Sequence, residues 1–139
     1  MEQLIEYKRN EIATISGGNI VEGFYQAVRI VSSMLNRKFV FLFSQAQIEC
    51  LHHMTREFIA MNASTTTFED KVFLFNVYKL FVKHIEPKIQ RINKQFKIKL
   101  NWNETFTMYQ LMNKIDVLDY GPFENSLIIY INGRIGAQA

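Results

Sequence analysis

The residues best suited to metal or thiol chemistry lie within one predicted helix. Glu49 and His52 are three positions apart, and so are Cys50 and His53, so each pair would share a helical face. The first spacing is that of carboxylate-bridged dimetal bundles, which also need a second such motif and two further glutamates. The second pair supplies only two of the four ligands of a structural zinc site. We therefore expect no metal and no cofactor, and we expect His53 to pair with Glu57.

Cys50 and His53 also have the residue types of a nucleophile and its base. A catalytic cysteine usually lies at a helix N-terminus, where the thiolate is stabilised, whereas Cys50 is predicted in the middle of a helix. No third residue that would orient the imidazole is identifiable. No acid, base, nucleophile or metal set assembles elsewhere in the sequence. We therefore expect a protein that is not an enzyme, with no catalytic residues.

A glycine pair in the Ser16–Asn19 loop opens a predicted helix. Backbone N–H groups at Gly17, Gly18 and Asn19 could hold a phosphate or carboxylate. A P-loop would need Gly-Lys-Ser/Thr at its end, and a dinucleotide fingerprint would need a third glycine after a strand. Both are missing, and Asn19 with Glu22 fits a capping box. The sequence favours a plain capped loop, with a nucleotide- or anion-binding site as an alternative.

Basic residues are concentrated between Lys83 and Lys99, where six of them accompany one acid, Glu86. The whole chain has a formal charge of only +3, so its basicity is local. On one helix these side chains would form a positive face that could bind an acidic protein partner or nucleic-acid phosphates. A solvated face is the simpler interpretation, because no nucleic-acid recognition motif accompanies it. The candidate binding residues are Lys83, Lys88, Arg91, Lys94 and Lys97.

The element expected to carry them is a long, bent helix over Phe68–Leu100. Apolar residues recur there at alternating steps of three and four, which is typical of a helix that packs along a core or a partner helix. The stripe consists of Phe75, Tyr78, Val82, Ile85, Ile89, Ile92 and Phe96. Pro87 cannot donate a helical hydrogen bond, so we expect either a bend at His84–Pro87 or two helices that meet there, with Pro87 in the first turn of the second.

Three other helices are indicated by apolar periodicity and capping residues. The first begins at Ile20 and ends near Asn36. The second follows the capping box of Ser44 and Gln47, and the third follows the cap at Asn101-Trp102-Asn103. Phe39–Phe43 is an apolar run that suits either a buried strand or a link between helices. Glu2–Ile15 is compatible with a helix or a strand, and we favour a helix.

The C-terminal part is expected to contain β structure. Ser126–Ile131 resembles a strand, and Asn132-Gly133 after it is a strong hairpin signal. The second arm, Arg134–Ala137, would be an exposed edge unless it pairs with Phe39–Phe43 or with another subunit.

The predicted fold class is mainly α, with about five helices and a short C-terminal β-strand or hairpin, becoming α+β if Phe39–Phe43 is a strand. Residues 1–139 are expected to form a single globular domain, since 48% hydrophobic and 21% charged residues are ordinary globular values. No segment approaches the ~20 consecutive apolar residues of a membrane helix. The N-terminus lacks the basic region of a signal peptide, and Cys50 is the only cysteine. We therefore expect a cytoplasmic protein without membrane contact.

Together these features predict a small non-enzymatic binding or regulatory protein that acts through protein–protein interaction and associates with itself. The alternative is a nucleic-acid-binding protein that uses the Lys83–Lys99 face, and the second alternative is a nucleotide- or anion-binding protein that uses the Ser16–Asn19 loop. Abundant Lys, Asn, Ile and Phe indicate an AT-rich genome, such as that of a low-GC bacterium, a phage or a large DNA virus.

Overall fold

A computed structural model describes residues 20–115 and 117–139 of the chain. In chain order these form α1 (Ile20–Leu35), β1 (Phe39–Phe43), α2 (Gln45–Met61), α3 (Phe68–Leu80), a π-helical turn (Phe81–Ile85), α4 (Glu86–Ile89), β2 (Phe96–Leu100), α5 (Trp102–Lys114), a 3-10 turn (Val117–Asp119) and α6 (Pro122–Gln138). Because α3, the π-helical turn and α4 are continuous, the described residues form five helical segments and one small sheet. The predicted mainly α fold is confirmed.

Contacts within the chain cluster into two compact units that divide between Arg37 and Lys38. In the first unit the structure describes α1, which confirms the helix expected from Ile20 onward. The predictions for Glu2–Ile15 and for the Ser16–Asn19 loop lie outside the described residues. The second unit contains both strands and the other four helical segments.

The sheet consists of β1 and β2, which pair antiparallel. Phe39 lies opposite Leu100, Phe41 opposite Ile98, and Phe43 opposite Phe96. These six side chains are buried, while Lys97 and Lys99 point to solvent. Of the two interpretations left open for Phe39–Phe43, the strand is therefore correct. Since the apolar side chains of both strands meet on one face, the sheet forms one wall of the core.

The prediction of a helix as far as Leu100 is wrong in its last part. The helical segment ends at Ile89, and residues 96–100 form β2. The alternation of apolar and basic residues in Phe96–Leu100 has a period of two, which places three apolar side chains on one side of a strand. Pairing with β1 buries all three. Pro87 lies in the first turn of α4, directly after the π-helical turn, so its predicted position in the first turn of a second helix is confirmed.

The side of α3 expected to be buried instead faces solvent. Phe75 is 60% exposed, and Tyr78 and Val82 are about half exposed. The side chains that enter the core are Phe73, Val77, Leu80 and Ile85, of which only the last belongs to the predicted stripe. Ile92, also expected to be covered, is 94% exposed in the segment between α4 and β2. The spacing identified a helix correctly, but most of the stripe lies outside the core, and packing of the stripe along a partner helix stays a prediction.

The predicted C-terminal strand and hairpin are wrong, because Pro122–Gln138 is the continuous helix α6. Pro122 occupies the first turn, where its missing N–H costs nothing. Leu127, Ile128 and Ile131 then fall on one helical side and are buried. The strand that pairs with Phe39–Phe43 is β2, and not the segment Arg134–Ala137.

Helix α6 closes the outer edge of β1 with side chains. The Val40 N–H donates to Gln138 Oε1 at 2.8 Å, and Gln138 Nε2 donates to the Val40 carbonyl at 2.9 Å. The Tyr130 hydroxyl donates to the Leu42 carbonyl at 2.7 Å and accepts from the Leu42 N–H at 3.3 Å. The Gln138 amide and the Tyr130 hydroxyl thus take the place of a neighbouring strand. The backbone N–H and C=O groups of Val40 and Leu42 therefore have hydrogen-bond partners within the unit.

Candidate functional site: an apolar helical face and a basic segment

Several large apolar side chains lie on the outer side of α3 and across the neighbouring groove. We call this set the apolar face, and it consists of Phe68, Val72, Phe75, Val82 and Phe106. Phe68, the first residue of α3, is 76% exposed. Large apolar patches are uncommon on monomeric proteins and often belong to interaction sites, which makes the apolar face a candidate.

The sequence of α3 explains why such a face exists. Phe68, Val72 and Phe75 follow one another at steps of four and three, so they share one side of the helix. The buried residues Phe73 and Val77 lie on the opposite side. A helix that is apolar on both sides is normally covered on both sides. Packing within the second unit covers only one of them.

A groove of about 630 Å³ runs between α3 and α5 beside the apolar face. Phe68, Val72 and Phe106 contribute to its lining, together with the polar ends of Lys79 and Lys83. The Lys79 ammonium lies 5.3 Å from the centroid of the Phe75 ring, so its stem covers part of that ring while its charge remains in water. Acidic and amide side chains line most of the rest of the groove, so its surface is mixed apolar and polar.

Two imidazole–carboxylate pairs hold the π-helical turn and α4 in place next to this groove. His52 Nε2 lies 2.6 Å from Glu86 Oε2, which links α2 to α4. His84 Nε2 lies 2.6 Å from Glu104 Oε2, which links the turn to α5. π-helical turns are frequent at functional sites, and here the turn is fixed by contacts on both sides.

Glu104 joins three neighbours and also caps α5. Its Oε1 accepts from the Asn101 N–H at 3.0 Å, while its Oε2 receives His84 and, at 3.2 Å, the Lys83 ammonium. Burial on its own would raise the pKa of Glu104. The hydrogen bonds from Asn101, His84 and Lys83 outweigh that effect and lower the pKa below its ordinary value of 4.5.

Glu104→Gln should remove a pH-dependent part of the stability. The lowered pKa of Glu104 means that its contribution is present above its ordinary value of 4.5 and is lost as pH falls through the folded-state pKa. Glutamine keeps the cap on α5 but not the charge. The free energy of unfolding, measured by urea denaturation, should be lower in the variant at neutral pH, and the difference from wild type should shrink in acid. A difference that does not change with pH would contradict this.

The structure distributes the predicted basic residues over four elements. Lys83 lies in the π-helical turn, Lys88 in α4, Arg91 and Lys94 in the segment between α4 and β2, and Lys97 in β2. They therefore do not form the single helical face that the sequence predicted. Lys83 pairs with Glu104, whereas the others make no ion pair with any residue that the structure describes. We call Lys88, Arg91, Lys94, Lys97 and Lys99 the basic segment.

The side chains with metal or thiol chemistry are engaged elsewhere. The predicted pair of His53 and Glu57 is confirmed at 2.9 Å, and Gln45 Nε2 donates to Glu49 Oε1 at 3.3 Å. Burial, together with the nearby Glu124 charge, raises the pKa of the Cys50 thiol to about 11. The thiolate required of a nucleophile is thus strongly disfavoured at neutral pH. Within residues 20–115 and 117–139, no cluster of three or more histidine, cysteine or acidic side chains is placed to hold a metal ion.

A second, smaller concavity of about 430 Å³ lies between the ends of α2 and α5 and the start of α3. Lys114 closes one side of it, with its ammonium 3.8 Å from Asp70 and 4.5 Å from the centroid of the Phe73 ring. Tyr120 lines another side, where burial and the neighbouring Glu57 raise the pKa of its hydroxyl. This concavity therefore presents a protonated phenol and a paired lysine, which are binding groups without an activated nucleophile.

The described residues thus define a mainly α-helical protein with a small antiparallel sheet, an uncovered apolar face and a basic segment that leads into β2. No helix among them is both long and apolar enough to cross a bilayer. No protein-family model, no curated protein and no solved structure matches this chain. The sequence analysis places Phe75 and Val82 on a stripe that packs along a core or a partner helix, and it does not single out Phe68, Val72 or Phe106. The signal that could have found Phe68 and Val72 is the second apolar side of α3.

Proposed function

We propose that this protein is a non-enzymatic binding protein of the cytoplasm that associates with itself through the apolar face. The observation that carries the proposal is the apolar outer side of α3, where Phe68, Val72 and Phe75 remain exposed beside a groove. Burying a Phe or Val side chain that is otherwise exposed contributes about 1.5–3 kcal/mol. The sole cysteine supports a reducing compartment.

The charges along α3 favour an antiparallel pair of copies. Glu69 and Asp70 lie in its first turn, while Lys79 lies in its last turn and Lys83 follows in the π-helical turn. A two-fold axis across the helix places the acidic end of one copy beside the basic end of the other. A parallel pair would instead place like charges together. Self-association through one two-fold patch also requires no second type of surface.

The two alternatives have less support. A nucleic-acid site would draw on the basic segment, whose residues are spread over α4, β2 and the segment between them, with no recognition helix inserted among them. An anion site at Gly17, Gly18 and Asn19 concerns residues outside the described part of the chain. Both remain hypotheses.

The test is analytical ultracentrifugation of the wild-type protein over a range of concentrations, at low salt and in about 1 M NaCl, where charge interactions are largely screened. We expect a monomer–dimer equilibrium that persists at high salt, since an apolar interface does not depend on unscreened charges. A monomer at every concentration would refute self-association. Association that disappears in high salt would refute an apolar interface and indicate contacts between oppositely charged groups instead.

A further inference from the structure

The two outer edges of the small sheet differ in their hydrogen bonding. At β1, Val40 and Leu42 turn their N–H and C=O groups towards α6, where Gln138 and Tyr130 satisfy them. In an antiparallel pair, residues directly opposite one another both point their backbone groups inward or both point them outward. Lys99 lies opposite Val40, and Lys97 lies opposite Leu42. Their N–H and C=O groups therefore point away from β1.

Nothing in the described part of the chain hydrogen-bonds to these outward groups of Lys97 and Lys99. The edge thus offers two donors and two acceptors in the alternating arrangement of a strand. On one side of the sheet the lysine side chains are exposed, and on the other side the neighbouring side chains of Phe96, Ile98 and Leu100 are buried. The open edge is therefore rigid, because its apolar side is anchored in the core.

We propose that the open edge of β2 binds an extended acidic segment of a partner protein, which adds to the sheet as a third, antiparallel strand. Backbone hydrogen bonds to Lys97 and Lys99 would hold the segment. Acidic side chains opposite these two lysines would lie on the same side of the sheet as their ammonium groups. The other cations of the basic segment precede β2 and extend the positive surface. This surface is separate from the apolar face, so the inference goes beyond the proposed self-association.

The charges of Lys97 and Lys99 favour an acidic peptide over a second copy of β2 at the open edge. If two copies paired edge to edge, Lys97 and Lys99 of one would lie against the same residues of the other, and like charges directly opposite are destabilising. Lysines on an edge strand are a common protection against such pairing. An acidic strand turns the same lysines into attractive partners.

The backbone groups select a peptide over a nucleic acid. A phosphate backbone provides acceptors for the N–H groups of Lys97 and Lys99 but no donors for their carbonyl groups. An extended peptide supplies both, with a matching repeat. The basic segment alone would suit either ligand, and the alternating groups of the edge suit the peptide.

The test uses NMR titration of the isotope-labelled full chain with a short synthetic peptide of alternating glutamate and valine. We expect the amide protons of Lys97 and Lys99 to shift downfield and exchange more slowly with solvent, since they gain acceptors. The amides of Val40 and Leu42 should not change, because α6 already occupies them. The corresponding lysine–valine peptide should not bind.

Two methylated peptides provide a matched pair. In the proposed antiparallel register the glutamates lie opposite the lysines, so their N–H groups point towards β2, whereas those of the valines point away. Methylation of every glutamate nitrogen should abolish binding, and methylation of every valine nitrogen should leave it intact. Equal binding of both methylated peptides would overturn the proposal, because it would mean that charge alone attracts the peptide.

Two variants of one residue test the same edge from the protein side. Lys99→Pro removes an outward N–H that takes no part in the ladder with β1, a position where strands tolerate proline. Lys99→Gln removes only the charge. We expect Lys99→Pro to weaken peptide binding about tenfold and Lys99→Gln about threefold. If Lys99→Pro does not fold, as judged by circular dichroism, the methylated peptides decide the question without it.

Two further outcomes are decisive. The absence of any shift at Lys97 and Lys99 at high peptide concentration and low salt would overturn the proposal. Tighter binding of a single-stranded oligodeoxythymidine, unaffected by Lys99→Pro, would overturn it in favour of a nucleic-acid site. Phe75→Glu should leave peptide binding unchanged, so failure at this edge and failure of self-association can be told apart.

Discussion

Phe75→Glu should raise the dissociation constant of the self-associated protein by at least about 100-fold, which corresponds to about 3 kcal/mol. Phe75 is 60% exposed in the single chain and lies between Val72 and Val82 on the apolar face. In the proposed dimer the substitution removes an aromatic side chain from the interface. It also buries a carboxylate against apolar neighbours, and an unpaired buried charge is costly.

The monomer itself should tolerate this change. Most of the Phe75 ring contacts solvent, and replacement of exposed residues usually alters stability by no more than about 0.5 kcal/mol. Sedimentation velocity should show a single monomeric species, and circular dichroism should show an unchanged helical spectrum. At protein concentrations low enough for both to be monomers, wild-type and variant proteins should unfold at nearly the same urea concentration.

Ile129→Glu is the matched control. Ile129 lies on α6 and is 72% exposed, so the variant makes the same kind of change at a comparable apolar position outside the apolar face. It should self-associate as the wild type does. If instead Ile129→Glu produces monomers and Phe75→Glu does not, the proposed interface is on the wrong side of the molecule.

Phe41→Ala should lower the free energy of unfolding by about 3–5 kcal/mol. Phe41 is fully buried at the centre of β1, opposite Ile98, and its ring stacks parallel to that of Phe43 with 5.9 Å between the centroids. Truncation to alanine removes most of the side chain from the centre of the core. The remaining cavity is bordered by rigid strand neighbours that cannot collapse into it.

Leu42→Ala provides the control for this prediction. Leu42 is the next residue of the same strand, but it is 42% exposed because it points to the other side of the sheet. We expect a loss of no more than about 1 kcal/mol, measured by urea denaturation under the same conditions. Equal losses for the two variants would mean that the alternation of buried and exposed side chains along β1 is not present in solution.

Features that depend on a few neighbouring residues were determined by the sequence. The capping box of Ser44 and Gln47 begins α2, and Asn101 caps α5, as predicted. Glu104 completes the cap on α5, which was not predicted. Pro87 marks the first turn of α4. Each of these interactions joins residues that are no more than four positions apart. Their energies therefore do not depend on where the rest of the chain lies.

Short apolar segments could not be assigned in the same way. Phe96–Leu100 continues a helical spacing from the residues before it and also alternates like a strand, and only β1 resolves the choice by providing a partner. Ser126–Ile131 resembles a strand but has no partner, and burial of Leu127 and Ile131 on one side makes it part of α6. In both cases the competing local energies are small, and long-range burial decides between them.

The candidate sites also depend partly on the sequence alone and partly on the tertiary structure. The sequence by itself determined that basic residues are concentrated before and within Phe96–Leu100 and that α3 is rich in apolar residues. The tertiary structure alone decided which side of α3 enters the core, because both sides are apolar and only contact with α2 and α5 distinguishes them. It also decided that Gln138 and Tyr130 close one edge of the sheet while Lys97 and Lys99 leave the other open, since those contacts join residues almost 90 or more positions apart along the chain.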